Sequence, residues 1–233
     1  MKSPSFPHPS VFIDEKKLEL IKGYRVHEAR TPARQVRVVT PSQTIGPFFA
    51  FDLASETDLA CMTPGGPRAR GIPIIVTGRV LDESGNPVRK ALIEVWQANK
   101  WGKYDHPDDS TDVPLDPNFR GFGRVLTDNN GEYRLMSIKP GPYPNPGYDN
   151  WMRPPHIHYS IFAAGVMQRL ITQLYFPGEA LNDIDPILNG IEDLEARATL
   201  IARRLLDAPD GAECYRFDIV LRGTSETAFF VDH

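Results

Sequence analysis

Proline and glycine interrupt this chain so often that most of it cannot form long helices. The sequence has 22 prolines and 18 glycines among 233 residues, and the proline share is about twice the usual value. Proline removes a backbone donor and stops helices, so this spacing favours short strands joined by turns.

Segments rich in β-branched and aromatic residues follow one another between these turns. The run Asp128-Asn129-Asn130-Gly131 separates two of them and is a strong hairpin signal. We therefore predict an all-β protein, an antiparallel β-sandwich. The predicted strands cover 74–81, 91–97, 122–127, 132–138, 156–163, 168–176 and 215–221.

Two further elements complete the predicted organisation. Residues 1–70 contain many prolines and only short apolar runs. We predict that they form an irregular arm that packs on the body or on a partner subunit, and that 71–233 form the sandwich domain. An apolar stripe with spacings of three and four residues predicts one surface helix at an edge of the sandwich. The stripe consists of Ile191, Leu194, Ala198, Ile201 and Leu205.

Charge and composition narrow the classes of partner and location. The net charge of −4 gives no electrostatic basis for binding nucleic acid or an anionic membrane. No apolar run approaches the length of a membrane span, and no apolar leader follows Met1. The two cysteines, Cys61 and Cys214, do not indicate a disulfide framework. We therefore expect a cytoplasmic protein that contacts neither membrane nor nucleic acid.

The pair His156 and His158 is the strongest chemical signal in the sequence. Side chains alternate between the two faces of a strand, so residues i and i+2 point the same way. The preceding Pro154 and Pro155 suit the start of a strand. The pair would present two imidazoles to one side of a sheet, which is a common way to bind a metal. Two surface histidines would have the same spacing, so the pair alone leaves both interpretations open.

Two tyrosines follow predicted strands, where functional residues concentrate. Tyr104 comes soon after the strand that ends near Gln97, and Tyr143 comes after the strand that ends near Ile138. Three nearby prolines restrict the backbone around Tyr143. A tyrosine in this position either points at a site in a fixed direction or fills the mouth of the sandwich.

Six segments resemble, in order and with similar spacing, the intradiol ring-cleavage dioxygenases. Within that family the resemblance is to the β chains that act on protocatechuate, and it covers residues 20 to 230 or so. The segments are 96–99, 115–119, 138–144, 153–158, 170–176 and 215–223. The resemblance implies an enzyme that cleaves the ring of a catechol between its two hydroxyl carbons with O2.

The resemblance also implies a metal site. The family binds Fe(III), and the matching ligands here are Tyr104, Tyr143, His156 and His158. A bound cation can deprotonate a phenol whose ordinary pKa is about 10. Two anionic oxygens neutralise much of a trivalent charge and favour Fe(III) over Fe(II). We expect the four side chains to converge at the mouth of the fold.

Catalytic roles follow from the same resemblance. Tyr143 matches the tyrosinate that the catechol displaces and that accepts a catechol proton, while Tyr104 stays bound. Arg153 matches an arginine that stabilises anionic character on the ring. Gln173 matches a glutamine that forms hydrogen bonds near the ligands.

The substrate and the assembly are implied less specifically. Tyr24 and Arg30 could bind the carboxylate of a substrate such as protocatechuate, and Trp96 matches a pocket-lining tryptophan. The β chains of the family usually carry a tryptophan where this chain has Asn145, so one pocket wall is altered. Tyr148 and Trp151 are both candidates to fill that gap.

Protocatechuate and O2 are therefore the expected substrates, and an α-type partner subunit or a homo-oligomer is the expected assembly. Two alternatives stay open. One is a dioxygenase for another catechol, such as hydroxyquinol. The other is a non-catalytic sandwich subunit that binds aromatic molecules or assembles a complex.

Overall fold

The structure is a computed structural model that describes residues 41–50, 53, 57–61, 65–145, 151–206 and 211–231. Tyr24, Arg30 and Tyr148 lie outside the described residues. Strands dominate the chain from Pro73 onward. They are β1 Pro73–Leu81, β2 Leu92–Trp96, β3 Phe122–Leu126, β4 Glu132–Ile138, β5 Tyr143–Pro144, β6 Met152–Arg153, β7 His156–Phe162, β8 Leu170–Tyr175, β9 Arg203–Leu205, β10 Glu213–Arg216 and β11 Ile219–Val220.

Most strands belong to two sheets that pack face to face. One sheet has the order β3-β2-β7-β8, and all its pairs are antiparallel. In the other, β1 lies between β4 on one side and β10 and β11 on the other, and β9 pairs with β10. Alternate residues of both sheets meet in the main core, for example Val76 and Leu135 from one and Val95 and Ile157 from the other. The predicted all-β sandwich is confirmed.

The sheet that contains β1 is mixed, because β1 runs parallel to β10 and β11. The predicted strand 215–221 is split at this place into β10 and β11. The two pieces keep one register, with Thr77 opposite Arg216 and Val80 opposite Ile219. Between them, the carboxylate of Asp218 accepts a hydrogen bond from the Arg79 amide at 2.8 Å. A side chain thus replaces the backbone partner and interrupts the ladder.

The helical prediction was wrong in length. The described helices are a 3₁₀ helix Ala180–Asp183 and the α-helices α1 Pro186–Asn189 and α2 Leu194–Ala198. None of these described helices has the length and apolar character needed to cross a membrane.

The chain after α2 becomes extended and does not continue the helix as far as Leu205. The Tyr175 amide donates to Leu200, and the Ala202 amide donates to Tyr175, at 2.8 and 2.9 Å. Leu200 is fully buried beside Tyr175. Only the first part of the predicted stripe is helical, because Leu194 and Ala198 lie in α2. Ile201 pairs with Tyr175 on β8 and Leu205 lies in β9, so strand pairing outweighs the helical spacing there.

Part of the predicted N-terminal arm contacts the body. Leu59 and Ala60 are buried in the main core, and the Leu59 amide donates to Met136 on β4 at 2.9 Å. The described residues around Leu59 therefore extend the sandwich core beyond the predicted boundary at residue 71. The arm's contact with a partner subunit stays a prediction.

A single glycine allows β1 to approach the β10–β11 segment closely. A Cβ atom at Gly78 would overlap the carbonyl oxygen of Phe217, and the Phe217 amide is held by Thr77 at 2.8 Å. We expect Gly78→Ala to destabilise the fold by about 1–3 kcal/mol, because backbone has to move to accept the methyl group. Chemical unfolding monitored by circular dichroism measures this loss.

Gly46→Ala is the matched control for this substitution. No described atom lies within 4 Å of a Cβ built at Gly46. The free energy of unfolding of the Gly46→Ala variant is therefore expected to differ from that of the wild type by less than about 0.5 kcal/mol. Equal unfolding midpoints for the two variants would show that the β1 contact tolerates a side chain.

Candidate metal centre

The two histidines lie at the start of β7 and point to the outer face of their sheet. His156 and His158 are buried. The alternate residues Ile157 and Tyr159 point to the opposite face of the strand and pack in the main core. The alternation agrees with the sequence prediction. His156 is the first residue of β7, so the histidines lie where this strand begins, on its outer face. The expected position at the mouth of the fold stays a prediction.

Three further side chains share this face on neighbouring strands. Trp96 at the end of β2 is paired with His158, and Gln173 on β8 is paired with His158 from the other side. Tyr175, also on β8, is paired with His156, and the two rings stack with centroids 5.5 Å apart. The register of three adjacent strands therefore assembles the floor of the site.

The two tyrosines come from loops that follow β2 and β4. Gln97 connects these strand ends, because its Nε2 donates to the Ile138 carbonyl at 2.9 Å and its Oε1 accepts from Ser137 at 2.8 Å. The carbonyl of Asn99 accepts a hydrogen bond from the Gly141 amide at 2.8 Å. β2 and β4 belong to different sheets, so these bonds tie the sheets together where the tyrosine loops begin.

Two glycines allow the tyrosine loops to touch through their backbones. A Cβ atom at Gly102 would overlap the carbonyl oxygen of Pro142, and one at Gly141 would overlap the carbonyl oxygen of Lys100. Gly102 also has a φ of +81°, which L side chains rarely adopt. The rings of Tyr104 and Tyr143 then meet edge to face, with centroids 5.2 Å apart.

A carboxylate fixes the loop that carries Tyr104. Asp109 accepts a hydrogen bond from the Tyr104 amide at 2.8 Å and lies 3.3 Å from the Lys103 ammonium. Burial acts to raise the pKa of Asp109, but hydrogen bonds from Thr111 and the Tyr104 amide outweigh it and lower that pKa. The charged form of Asp109 is therefore favoured, and it holds the loop in place.

Three potential donor atoms converge on one point. Nε2 of His156 lies 3.1 Å from Nε2 of His158 and 3.2 Å from the hydroxyl oxygen of Tyr143. The ring of Tyr104 lies against both Tyr143 and His158. With metal–ligand bonds of about 2.1 Å, two ligands at right angles lie about 3.0 Å apart. The spacing of these donors therefore fits a single metal ion.

Backbone contacts orient the ring of His156. Its Nδ1 lies 2.7 Å from the carbonyl oxygen of Pro154, which assigns the ring proton to Nδ1 and leaves a lone pair on Nε2. This lone pair lies 3.1 Å from Nε2 of His158, which leaves room for a shared proton or cation beside the two nitrogens. The histidine pair is thus arranged to receive a cation.

Burial keeps both phenols protonated unless a cation is present. Burial raises the pKa of Tyr104 well above its ordinary value, and the neighbouring Tyr143 raises it further. Burial also raises the pKa of Tyr143 to about 12, although the positive charge of Arg153 opposes this rise. The Tyr104 hydroxyl has no hydrogen-bond partner among the described residues. A buried hydroxyl without a partner is unfavourable, and a metal ion would satisfy it.

The donor types favour a particular class of metal. In the described part of the chain, no three His, Cys, Asp or Glu side chains meet to hold a metal. A metal at this site would therefore have to use the phenol oxygens. Two phenolates supply two negative charges, unlike the usual ligands of zinc or the two-histidine, one-carboxylate set of ferrous oxygenases. The residues present fit a ferric ion.

A buried arginine lies beside this centre. Arg153 on β6 is paired with Tyr143 on β5 and is fully buried. Its Nη2 donates to Oε1 of Gln173 at 2.9 Å and to the Tyr175 hydroxyl at 2.8 Å. The Asp185 carboxylate lies 3.3 Å from the same nitrogen. The structure thus brings together Arg153 and Gln173, the two residues predicted to act near the ligands.

Tyr175 and Asp185 were missed by the sequence analysis. The dipeptide Asp185-Pro186 carries a helix-start signal, an N-cap acid followed by proline at the first helical position. That signal could have placed Asp185 at the start of α1. Its ion pair with Arg153 depends on tertiary packing, which no local pattern reports.

The residues predicted to contact substrate are only partly described. Trp96 lies beside the centre, with its ring centroid 4.6 Å from that of Tyr104 and 6.0 Å from that of His158. Asn145 is buried, and its backbone amide donates a hydrogen bond to the backbone carbonyl of Trp151 at 2.9 Å. Trp151 therefore lies opposite Asn145 on the neighbouring segment, and the altered pocket wall at Asn145 stays a prediction.

Comparison with known proteins identifies the class of this protein. A family model described as Dioxygenase matches residues 44–223. Since this match covers most of the chain, the chain belongs to that family, the intradiol ring-cleavage dioxygenases. Its members generally use a non-haem iron.

Two relatives within this family are similar to the chain over most of its length. The chain is 52% identical over 159 residues to the protocatechuate 3,4-dioxygenase beta chain of Burkholderia cepacia. This aligned region covers 67% of each chain. It is 39% identical over 203 residues to the alpha chain of Pseudomonas putida, covering 82% of this chain and 95% of that one. The resemblance is confirmed: this chain is an intradiol dioxygenase, protocatechuate 3,4-dioxygenase-like.

A solved structure supports the same fold. Hydroxyquinol 1,2-dioxygenase from Pseudomonas putida DLL-E4 matches with a TM-score of 0.55 and 25% identity, covering 85% of this chain and 70% of that one. The sandwich therefore carries the architecture of the family.

We expect His158→Ala to lose bound iron and ring-cleaving activity together, because three remaining donors cannot hold the ion. Iron per chain by elemental analysis and the visible absorption of the tyrosinate–iron pair measure the loss. His106→Ala is the matched control, since His106 lies in the Tyr104 loop and contacts Trp96 at a ring distance of 6.1 Å. It is expected to keep its iron. Equal iron content in the two variants would remove His158 from the ligand set.

Proposed function

We propose that this chain cleaves protocatechuate with O2 to give 3-carboxy-cis,cis-muconate at a ferric centre. The observation that carries the proposal is that Nε2 of His156 lies 3.1 Å from Nε2 of His158 and 3.2 Å from the Tyr143 oxygen. Tyr104, His156, His158 and Tyr143 would hold the iron. When bound, the ion would supply the Lewis acidity and the electron chemistry that a catechol needs to react with O2.

Tyr143 is the proposed proton acceptor for the incoming catechol. Tyr143 lies at the centre beside His156, and its phenolate form is a base of ordinary phenol type. A phenolate released at this position would therefore take a proton from a bound catechol. The short strands β5 and β6 hold Tyr143 opposite Arg153, whose positive charge faces the same region.

Tyr104 and the two histidines are proposed as the fixed part of the centre. Asp109 holds the Tyr104 backbone, and the Pro154 carbonyl holds the His156 ring. His158 is fixed by its place in β7 between Trp96 and Gln173. Donors on a rigid strand and a tied loop keep their geometry while the substrate binds.

Arg153 is proposed to stabilise negative charge that develops on the bound ring. Its guanidinium is buried, so its interaction with an anion is screened little by water. Oε1 of Gln173 accepts a hydrogen bond from Nη2 of Arg153 and thereby orients the guanidinium. Trp96 covers the ligands from the side and is proposed to line the substrate pocket.

The choice of protocatechuate is supported by similarity and by sequence. The beta chain with 52% identity bears that substrate in its name, and Tyr24 and Arg30 are proposed to bind the substrate carboxylate. Hydroxyquinol is the second candidate, because Asn145 replaces the tryptophan of the β chains and a hydroxyquinol dioxygenase shares the fold.

The similarity to alpha as well as beta chains supports an assembly of related subunits. All four candidate ligands are present in this chain, so it is proposed as the catalytic partner of an α-type subunit or as a self-sufficient homo-oligomer.

Substrate profiling tests the proposed function directly. Purified protein loaded with Fe(III) is mixed without O2 with protocatechuate, hydroxyquinol or catechol, and then exposed to O2. We expect protocatechuate to shift the visible absorption, and O2 uptake to yield 3-carboxy-cis,cis-muconate at the highest kcat/KM of the three. A higher kcat/KM for hydroxyquinol would select the second candidate, and a colourless protein without turnover would refute both.

Tyr143→Phe should keep part of the iron and slow the binding of catechol by about 10²-fold, the usual range for a lost general base. Stopped-flow absorption without O2 measures the binding rate. Tyr159→Phe is the control, because it removes a buried hydroxyl from the opposite face of β7. Binding to Tyr143→Phe at the wild-type rate would rule out Tyr143 as the proton acceptor.

A further inference from the structure

The side chain of Arg153 is held by one end only. Arginine has five N–H groups, two of them on Nη2. Both Nη2 protons have acceptors, Oε1 of Gln173 at 2.9 Å and the Tyr175 hydroxyl at 2.8 Å. The Tyr175 hydroxyl in turn donates to Gln173 at 2.7 Å. The Nε and Nη1 atoms are buried and have no hydrogen-bond partner among the described residues.

Asp185 supplies the opposite charge at the anchored end. Its Oδ2 lies 3.3 Å from Nη2 of Arg153, and both side chains are fully buried. The Nη2 protons are already used by Gln173 and Tyr175, and Oδ2 of Asp185 has no hydrogen bond among the described residues. Asp185 therefore acts on Arg153 mainly by Coulomb attraction, which is strong where water is absent.

The backbone fixes the position of this carboxylate. Asp185 is the N-cap of α1, and its side chain accepts a hydrogen bond from the Ile187 amide at 3.2 Å. The helix itself is anchored because Leu188 packs with Tyr175 and Leu200 in one buried cluster. The counter-ion and the tyrosine that hold Arg153 are thus parts of the same packed unit.

We propose that Asp185 is a positioning residue for the reaction and acts through Arg153. Together with Gln173 and Tyr175 it holds Nη2, so that the unpartnered N–H groups on Nε and Nη1 are left to donate to an anionic catechol. The ion pair also keeps a fully buried guanidinium charged. This inference rests on the proposed function of the centre, since it assigns the unpartnered N–H groups of Arg153 a role toward an anionic substrate.

Asp185→Asn tests the proposal, because asparagine caps helices as well as aspartate and has nearly the same volume. Only the charge is removed. We expect normal iron content and an unchanged visible absorption band, with kcat for protocatechuate reduced about 10- to 100-fold by a misplaced guanidinium. Asp193→Asn is the matched control. Asp193 caps α2 through hydrogen bonds to Glu195 and Ala196, and this variant should keep the wild-type kcat.

A double-variant comparison separates positioning from a merely structural role. In an Arg153→Gln background, Asp185→Asn should cause no further fall in kcat, because the residue through which it acts is gone. An equal fall in both backgrounds would overturn the proposal. Loss of iron from Asp185→Asn together with activity would also overturn it.

A second variant covers the case in which Asp185→Asn does not fold, since an unpaired buried charge is strongly destabilising. Tyr175→Phe removes one acceptor of Nη2 and keeps the ring that stacks on His156. We expect normal iron and a several-fold lower kcat, and a wild-type kcat would overturn the proposal. Wild-type protein that binds no iron or cleaves no catechol would refute the proposed function before any variant is compared.

Discussion

The alternation of side chains along β7 is the constraint on which the site depends. Ile157, Tyr159 and Ile161 pack into the core between the sheets, which sets the register of the strand. His156 and His158 must then point outwards. A slip by one residue would exchange the two faces and place both imidazoles in the core. The position of the histidines is therefore maintained by packing of the whole sandwich, and not by local contacts alone.

A site on the outer face of a sheet needs its own cover. The loops after β2 and β4 provide it, and they form a second, smaller buried cluster of Tyr104, Tyr143 and Ala98 with Trp96 packed against it. The same cover removes water from both phenols and so raises the pKa of each hydroxyl. Charge on these oxygens thus depends on a nearby cation, which couples the protonation of the site to its occupancy.

Patterns with a short period were predicted reliably from the sequence, and contacts between distant segments were not. The strand alternation gave the shared face of His156 and His158, because it depends only on local geometry. The helix predicted for 191–205 was too long, because the chain after α2 pairs with other strands instead. The ion pair of Asp185 with Arg153 had no sequence signal, since it exists only after α1 packs against the sheet. The face on which the site lies likewise required knowledge of the core.

Direct backbone contact at Gly102 and Gly141 has a consequence for how enzymes of this kind can diversify. Neither loop has room for a side chain at that contact, so a displacement of one peptide is transmitted to the other. The two loops therefore move together, and the distance between the two phenol rings is kept constant. Variation that keeps this spacing can be accommodated outside that contact, for example at Asn145, whose backbone amide pairs with the Trp151 carbonyl.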